Sequence, residues 1–438
     1  MAGKSRYLVT RRNALASLAA GAAHVAVKGS SAAEPVRGRD AESEARPVFS
    51  ATGPNAELYG AAEGFPVPSY LEAVSQGNPY KPLNRVGVFS HFDEIYTTRQ
   101  IKRAAVPWTF KRSPTDIRYS YQGKPSSLAE YLARNPVTGL LLAKDDRILF
   151  EHYQYGRTDQ DKFLSQSMVK SITGILIGIA ISEGAIKSVY DKAETYVAGF
   201  KGTEYGSTPI RDLLHMSSGV DFGEARDGGR DLDRLWRDMV LGLGIPKKGT
   251  INSITQFNRR IAPPGTRYYY ASIEPDVLGV VLHNAVNMSA SEYMQKKLWY
   301  EIGAEADAAW FLDAEGYELA HFGFNAVLRD YARLGRLLAH DGAWDGKQLV
   351  PAQWMIEATT VRPSDAYLLP GKAMPYFGYG YFLWLLPGNR RQFAFSGDCG
   401  QRVCVDPISK LVMVQTALED SPEVWRLWSA VVEQLGQG

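Results

Sequence analysis

The residues of this sequence best suited to chemistry are a serine and a lysine three positions apart, Ser167 and Lys170. Residues at this spacing lie on one face of a helix, with about 5–6 Å between their Cβ atoms, so the lysine amine can reach the serine hydroxyl. A serine hydroxyl becomes a nucleophile when a neighbouring base takes its proton. A lysine can act as that base where burial disfavours its charged form. We therefore predict that Ser167 is a nucleophile and that Lys170 is its base.

The segment after Lys170 is apolar enough to bury the lysine. From Ile172 to Ile181 it leaves almost no polar face, which indicates a core helix, and it is too short to cross a bilayer. Backbone N–H groups at the start of a helix have no intrahelical partners, so the amide of Ser167 is also a candidate donor to an oxyanion. The alternative is coincidence, because a chain of this length contains about one or two such pairs at average composition. The prediction therefore depends on partners elsewhere in the chain.

Residues 1–33 have the layout of an export signal. Five basic residues and no acid accompany an apolar stretch from Asn13 to Val27, and small residues precede Glu34. The segment from Thr10 to Leu15 resembles a twin-arginine motif, and an irregular basic terminus is the alternative. We predict an exported protein, periplasmic or secreted, with no membrane span in the mature chain. Removal of the five positive charges changes the formal net charge from +2 to −3, so no nucleic-acid partner is expected.

The remaining chain is predicted to be one large globular unit behind an N-terminal arm, with 45% hydrophobic and 22% charged residues. Residues 34–116 are predicted to form the arm and an extension packed on the main domain, and residues 117–438 the catalytic domain. Two β-rich runs come early in that domain and three come late, with helices between them. This order predicts an α+β fold with one antiparallel sheet. The predicted strands are Thr138–Ala143, Arg147–Tyr153, Gln392–Ser396, Gln401–Asp406 and Leu411–Thr416.

The cysteine and histidine residues do not form a metal-binding pattern. Cys399 and Cys404 have no histidine at a metal-ligand spacing, and no His-Glu-x-x-His pattern occurs. On one extended strand their spacing would direct the two sulfurs to opposite faces, so no disulfide is predicted. His215 ends a predicted short helix before the turn at Gly219, and we interpret it as structural because Lys170 already supplies a base. No metal or cofactor is predicted.

Four motifs in order along the chain resemble those of serine hydrolases in the β-lactamase and penicillin-binding-protein superfamily. The similarity is greatest to the carboxylesterase and 6-aminohexanoate-dimer hydrolase branch, and it extends over roughly residues 120–436. It implies a β-lactamase/transpeptidase-like fold, in which an antiparallel sheet is flanked by helices and joined to a mostly helical subdomain. The motifs are Ser167 to Lys170 for the Ser-x-x-Lys box, Leu213 to Gly219 for a family landmark, Tyr270 to Ser272 for the Tyr-x-Asn box, and Phe395 to Gly397 for the Lys-Thr-Gly strand.

The resemblance assigns roles to further residues. Tyr270 is expected to lie beside Ser167 and Lys170 and to relay a proton to the leaving group. The oxyanion hole is expected to consist of the Ser167 amide and an amide after Gly397, that of Asp398. Ser272 and Gly397 are expected to contribute to substrate binding in the positions of the family boxes.

Two departures from the family pattern bear on the substrate. Phe395 replaces the lysine that would pair with a penicillin carboxylate, and Ser272 replaces a longer asparagine. Both favour a small-molecule ester or amide held mainly by apolar surface. The aromatic-rich stretch Tyr376–Trp384 is a candidate lining, and it also reads as a strand edge packed in the core.

The predicted function is a serine hydrolase that cleaves such an ester or amide through an acyl-enzyme on Ser167. Two alternatives stay open. One is a β-lactamase or D-alanyl-D-alanine peptidase, and the other is an inactive binding protein of the same fold. The sequence also leaves open the acyl group, the leaving group and the oligomeric state.

Overall fold

The computed structural model describes residues 49–69, 81–224, 229–243 and 248–437. The predicted export signal over residues 1–33 lies outside the described residues, as do residues 34–48 and 70–80 of the predicted arm. The domain boundary near residue 117 stays a prediction.

The described residues contain sixteen strands and twelve α-helices. The strands are β1 Thr98–Ile101, β2 Lys111–Arg112, β3 Arg118–Tyr121, β4 Lys124–Ser127, β5 Val137–Lys144, β6 Arg147–Tyr153, β7 Lys162–Leu164, β8 Ala308–Phe311, β9 Phe324–Val327, β10 Ala343–Trp344, β11 Lys347–Gln348, β12 Gly378–Tyr379, β13 Trp384–Leu385, β14 Phe393–Gly397, β15 Gln401–Asp406 and β16 Leu411–Ala417. The helices are α1 Arg85–Ser90, α2 Phe92–Ile95, α3 Leu128–Arg134, α4 Val169–Ser182, α5 Ile210–Leu214, α6 Asp231–Leu235, α7 Gly249–Thr255, α8 Ile273–Val286, α9 Ala290–Met294, α10 Leu328–Ala339, α11 Ala352–Thr359 and α12 Glu423–Leu435.

The centre of the fold is an eight-stranded sheet with the order β12-β13-β14-β15-β16-β5-β6-β2. The five predicted strands form its contiguous middle, because β16 from the end of the chain pairs antiparallel with β5 from the start of the domain. The predicted α+β fold with an antiparallel sheet is therefore confirmed. One edge is mixed, since β2 pairs with β6 in parallel.

Both faces of this sheet are covered, and the alternation of side chains along a strand decides which core each residue enters. On β5, Leu141 belongs to the larger core, which α10 covers, whereas Leu140 and Leu142 belong to a smaller core under α3 and α12. On β16, Val412 likewise belongs to the larger core and Met413 to the smaller one. Burial on both faces explains why these strands are almost continuous apolar runs rather than alternating ones.

A second sheet has four strands in the order β1-β8-β9-β7, and it positions the chain just before Ser167. Its strand β7 pairs with β9 and ends at Leu164, three residues before that serine. The strand β1 comes from the predicted N-terminal extension and pairs with β8. The extension therefore contributes one strand to each sheet, β1 here and β2 in the larger sheet.

Between β7 and β8 the described residues form helices, turns and isolated bridges, and no further strand. This region is the mostly helical subdomain that the resemblance implied. Helices α4 and α8 pack against each other within it. As predicted, α4 is a core helix, because every residue from Val169 to Ala180 is buried.

Candidate active site

Ser167 lies in a 3₁₀ turn, Gln166–Met168, that connects β7 to α4. The α-helix begins two residues after the serine, not at the serine as expected. Gln166, just before the serine, has a left-handed φ of 49° that turns the chain sharply. Ser165 holds this turn. Its hydroxyl donates to the Gln166 carbonyl at 2.9 Å and accepts from the Phe324 amide at 3.1 Å. Ser167 itself is only partly buried, so a substrate carbonyl can approach its hydroxyl.

Lys170 is 2% exposed, which is the burial expected for a lysine that acts as a base. Its Nζ lies 2.8 Å from Ser167 Oγ and donates to the carbonyl oxygen of His321 at 2.8 Å. Asp276 fixes that carbonyl from behind, because its carboxylate accepts from the Ala320 amide at 3.0 Å and lies 2.7 Å from His321 Nδ1. The predicted nucleophile and base are thus in hydrogen-bond contact, and a buried Asp276–His321 pair supports the base.

Tyr270 lies on the segment before α8, and its ring packs beside the lysine. Lys170 Nζ is 5.0 Å from the ring centroid, and Tyr270 is 8% exposed. The structure therefore brings together all three residues predicted to be catalytic.

The landmark motif Leu213–Gly219 acts as a scaffold for this tyrosine segment. The Tyr269 amide donates to the Met216 carbonyl at 2.8 Å, and the Gly265 amide donates to the Ser217 carbonyl at 2.9 Å. These bonds fix the backbone on the N-terminal side of Tyr270. They give a physical reason for the occurrence of both motifs in one chain.

The same scaffold contains a buried carboxyl group at Glu274 on α8. Its Oε1 accepts from the Ser218 hydroxyl at 2.6 Å, and its Oε2 has no partner among the described residues. Burial raises the pKa of Glu274 well above its ordinary value, since the charged form would lose its hydration. We therefore predict that this carboxyl group, which joins the landmark motif to α8, stays protonated in the folded protein at neutral pH.

This carboxyl group predicts a pH-dependent stability. Above the unfolded-state pKa of about 4.3 the unfolded chain releases a proton that the folded chain keeps, so the free energy of unfolding falls as pH rises, by up to about 1.4 kcal/mol per unit. Glu274→Gln should remove that loss. We expect the melting temperature of the variant, relative to wild type, to rise between pH 5 and pH 8.

A matched control for this test is Glu130→Gln in the capping box of α3. Its hydrogen bonds from Ser127 lower the pKa of Glu130, so this group is ionised in both states above pH 5. The difference between this variant and wild type should stay constant from pH 5 to pH 8. A constant difference for Glu274→Gln as well would contradict the assignment of a neutral buried acid.

Ser272, predicted to bind substrate, precedes α8 and is 5% exposed. Its hydroxyl makes no capping bond to the helix. Its amide donates to the carboxylate of Glu224, a buried residue whose own amide donates to the Tyr269 hydroxyl at 3.4 Å. Glu224 therefore holds the tyrosine box through hydrogen bonds to Ser272 and Tyr269. No sequence motif signals this residue, and sequence reasoning missed it.

Gly397, at the end of β14, packs directly on the serine turn. A Cβ atom added there would lie 2.4 Å from the Ser165 carbonyl oxygen and 3.0 Å from the Ser167 amide nitrogen, so only glycine allows this approach. Asp398 is the next residue and begins the 3₁₀ turn Asp398–Gly400. The two segments that carry the expected oxyanion donors are thus adjacent.

The side chain of Asp398 is exposed to solvent. Partial desolvation by neighbouring residues raises the pKa of its carboxyl group, and the charge of Asp420 adds to the rise. The charges of Lys170 and Arg402 act in the opposite direction. Asp398 therefore belongs electrostatically to the same site as the lysine.

The stretch Tyr376–Trp384 contains the edge strand β12 and the first residue of its neighbour β13, as the strand-edge interpretation expected. Its role as a substrate lining stays a prediction, and two of its rings pack near Tyr270. The ring centroids of Tyr379 and Trp384 are 6.4 Å and 6.1 Å from that of Tyr270. On β14, Phe395 is fully buried in the larger core. The position where the family has a lysine thus presents no charge.

His215 is buried at the end of α5 and packs its ring on Tyr381, with 4.8 Å between centroids. Burial lowers its pKa well below the ordinary value, and the charge of Arg211 lowers it further. Its Nδ1 has no hydrogen-bond partner in the described part of the chain. These contacts support its interpretation as a structural residue.

Over the described ranges, no group of three histidine, cysteine, aspartate or glutamate residues is placed to hold a metal ion. Cys399 and Cys404 are unpaired thiols, and the first lies in the turn after β14 rather than on a strand with the second. In the same part of the chain, no helix has both the length and the apolar character that a membrane span requires.

Comparison with known proteins places this site in a family. A model of the Beta-lactamase family matches residues 127–424. The chain belongs to the β-lactamase family. The match includes the Ser167, Tyr270 and Gly397 motifs, and it confirms the resemblance read from them.

Similar proteins and solved structures are consistent with this family assignment. The 6-aminohexanoate-dimer hydrolase of Paenarthrobacter ureafaciens is 25% identical over 386 residues, which are 86% of this chain and 94% of that protein. A Bacillus anthracis structure described as a candidate 6-aminohexanoate-dimer hydrolase has a TM-score of 0.73 at 22% identity, over 82% of this chain and 97% of that one. A family VIII carboxylesterase has a TM-score of 0.53 at 15% identity, over 68% and 93%. Together these findings support a hydrolase of the serine β-lactamase fold.

Proposed function

We propose that this protein is a serine hydrolase that cleaves an ester or amide of a small molecule through an acyl-enzyme on Ser167. The observation that carries the proposal is the 2.8 Å contact between Lys170 Nζ and Ser167 Oγ, with the lysine buried and the serine accessible. The packing of Gly397 on the Ser167 amide supports an oxyanion hole at the same point.

The proposed reaction has two stages. In the first, Ser167 Oγ attacks the substrate carbonyl carbon while its proton passes to Lys170, and the oxyanion is held by the amides of Ser167 and Asp398. The bond to the leaving group then breaks, and Tyr270 relays a proton to the departing oxygen or nitrogen. In the second stage water attacks the acyl-enzyme, which releases the carboxylic acid and returns the proton to Ser167.

Two features favour an ester or simple amide over a β-lactam. The position of the family lysine is taken by the buried ring of Phe395, and the nearby cation Arg402 is engaged by Gly397, Gln401 and Asp420. A penicillin carboxylate would therefore find no free cation at this strand. Rapid stoichiometric acylation by a fluorescent penicillin would reverse this preference.

The test is covalent labelling with a fluorophosphonate, followed by mapping of the adduct by mass spectrometry. We expect one adduct, on the peptide that contains Ser167. An adduct on another serine would overturn the assignment of Ser167 as the nucleophile. No adduct on a folded protein that also turns over no short ester or amide would support the inactive binding protein instead.

We also propose that the protein is exported, on the basis of the layout of residues 1–33 alone. The intact mass of labelled protein from the periplasmic fraction tests this in the same experiment. A mass that retains those residues would contradict export with cleavage.

A further inference from the structure

Arg402 is a buried cation with no part in the catalytic steps above. It lies on β15 opposite Ser396, and it is 3% exposed. Burying a guanidinium group costs free energy unless the group is paired and hydrogen-bonded. Its Nη1 donates to the carbonyl oxygens of Gly397 and, at 2.7 Å, Gln401, and its Nη2 donates to the Asp420 carboxylate at 2.7 Å.

The carbonyl of Gly397 shares a peptide unit with the N–H of Asp398, the expected oxyanion donor. A trans peptide is planar, and its C=O and N–H point in opposite directions. A bond that fixes the carbonyl therefore also fixes the N–H. A cation at the carbonyl oxygen further polarises the peptide, which makes the N–H a stronger donor.

The other carbonyls of this turn are also held by side chains of the sheet. Gln401 Nε2 donates to the Asp398 and Cys399 carbonyls at 3.2 Å and 3.0 Å. Gln415 Nε2 donates to the Gly400 carbonyl at 3.0 Å. Every carbonyl from Gly397 to Gly400 thus has a side-chain donor from β15 or β16. The turn is fixed before substrate binds, as a preorganised oxyanion hole requires.

We propose that Arg402 is a positioning residue of the oxyanion hole. It orients and polarises the Gly397–Asp398 peptide, so that the Asp398 N–H points at the oxyanion of the tetrahedral intermediate. Arg402 does not contact the substrate. The inference rests on the proposed function, because it gives a role to a residue behind the same site.

The test compares Arg402→Met with Arg390→Met as a matched control. Arg390 forms an ion pair with Asp406, the last residue of β15, and donates to the Gly436 carbonyl at 3.2 Å. Like Arg402 it therefore binds one carboxylate and a backbone carbonyl, but at the end of β15 that lies far from Gln401. With p-nitrophenyl butyrate, Arg402→Met should lower kcat by about 10-fold to 10²-fold, less than the loss of an oxyanion donor itself. KM should change by less than about 3-fold, because the oxyanion forms only after binding.

Two further readouts separate positioning from general destabilisation. The affinity for a butyl boronic acid, which binds as a tetrahedral adduct, should fall by the same factor as kcat in Arg402→Met. The carbonyl stretch of the acyl-enzyme should move to higher wavenumber, because the oxyanion hole polarises that carbonyl less. Arg390→Met should leave both unchanged.

Arg402→Lys keeps the test decisive if Arg402→Met does not fold. A single ammonium group cannot donate to both the Gly397 carbonyl and the Asp420 carboxylate as the guanidinium does. We therefore expect a loss of kcat in Arg402→Lys that is smaller than the loss in Arg402→Met. Losses of kcat and boronate affinity no larger than those of Arg390→Met would overturn the inference. If p-nitrophenyl butyrate acylates wild type at Ser167 under the same conditions, the proposed function stands and only the role of Arg402 fails. If wild type is not acylated there, the proposed function itself fails.

Discussion

Lys170→Met is expected to lower kcat/KM for a short p-nitrophenyl ester by on the order of 10⁴-fold or more, with a similar loss in the rate of fluorophosphonate labelling. In the proposed mechanism the serine proton passes to Lys170 across the 2.8 Å contact to Ser167 Oγ, and methionine cannot accept a proton. Methionine fills a similar buried volume, so circular dichroism should show a folded protein.

A matched control is Lys410→Met. That lysine also donates to a backbone carbonyl, of Ala339 at 2.9 Å, but it lies in the turn after β15, at the far end of the strand from Gln401. It should retain activity within a few-fold. Ser167→Ala, Lys170→Met and the double variant should show about the same residual rate, because residues that act as one unit lose their effect together. A Lys170→Met enzyme within 10-fold of wild type would remove the lysine from the proposed role.

Tyr270→Phe is expected to lower amide turnover by on the order of 10²-fold or more and ester turnover much less. An alkoxide leaves with little help, whereas an amine must be protonated as the intermediate collapses. The substitution removes only the hydroxyl, and it keeps the ring that packs 5.0 Å from Lys170 Nζ. The measurement compares a p-nitrophenyl ester and a p-nitroanilide with the same acyl group on both enzymes.

Tyr268→Phe is the control, because this tyrosine lies two residues earlier and its ring packs on Tyr379 at 5.0 Å. Its hydroxyl donates to the sulfur of Met374 at 3.6 Å, away from the proposed proton path. Both substrates should change little. Equal losses on ester and amide in Tyr270→Phe would assign the hydroxyl to activation of Ser167 rather than to the leaving group.

The large sheet was predictable because each of its long strands contains a run of consecutive apolar residues that can be recognised in the sequence. Residues 137–144 and 411–417 are apolar almost throughout, and such runs identify strands buried on both faces wherever they pair. Two-residue strands carry no such pattern, so β2 was not predicted, and β12 and β13 were expected only as an undivided strand edge within Tyr376–Trp384. The left-handed turn at Gln166 was also missed, since neither hydrogen bond of Ser165 that fixes it can be read from local sequence.

The sequence by itself predicted that Ser167 and Lys170 lie in contact, because residues three apart at the start of a helix share one face. Only the tertiary structure decided what surrounds them. The carbonyl of His321 that holds Lys170 is 151 residues away. Glu224 reaches Ser272 across 48 residues. Such contacts depend on how loops and strands pack, and spacing along a chain does not specify the distance between residues that meet only in the folded state.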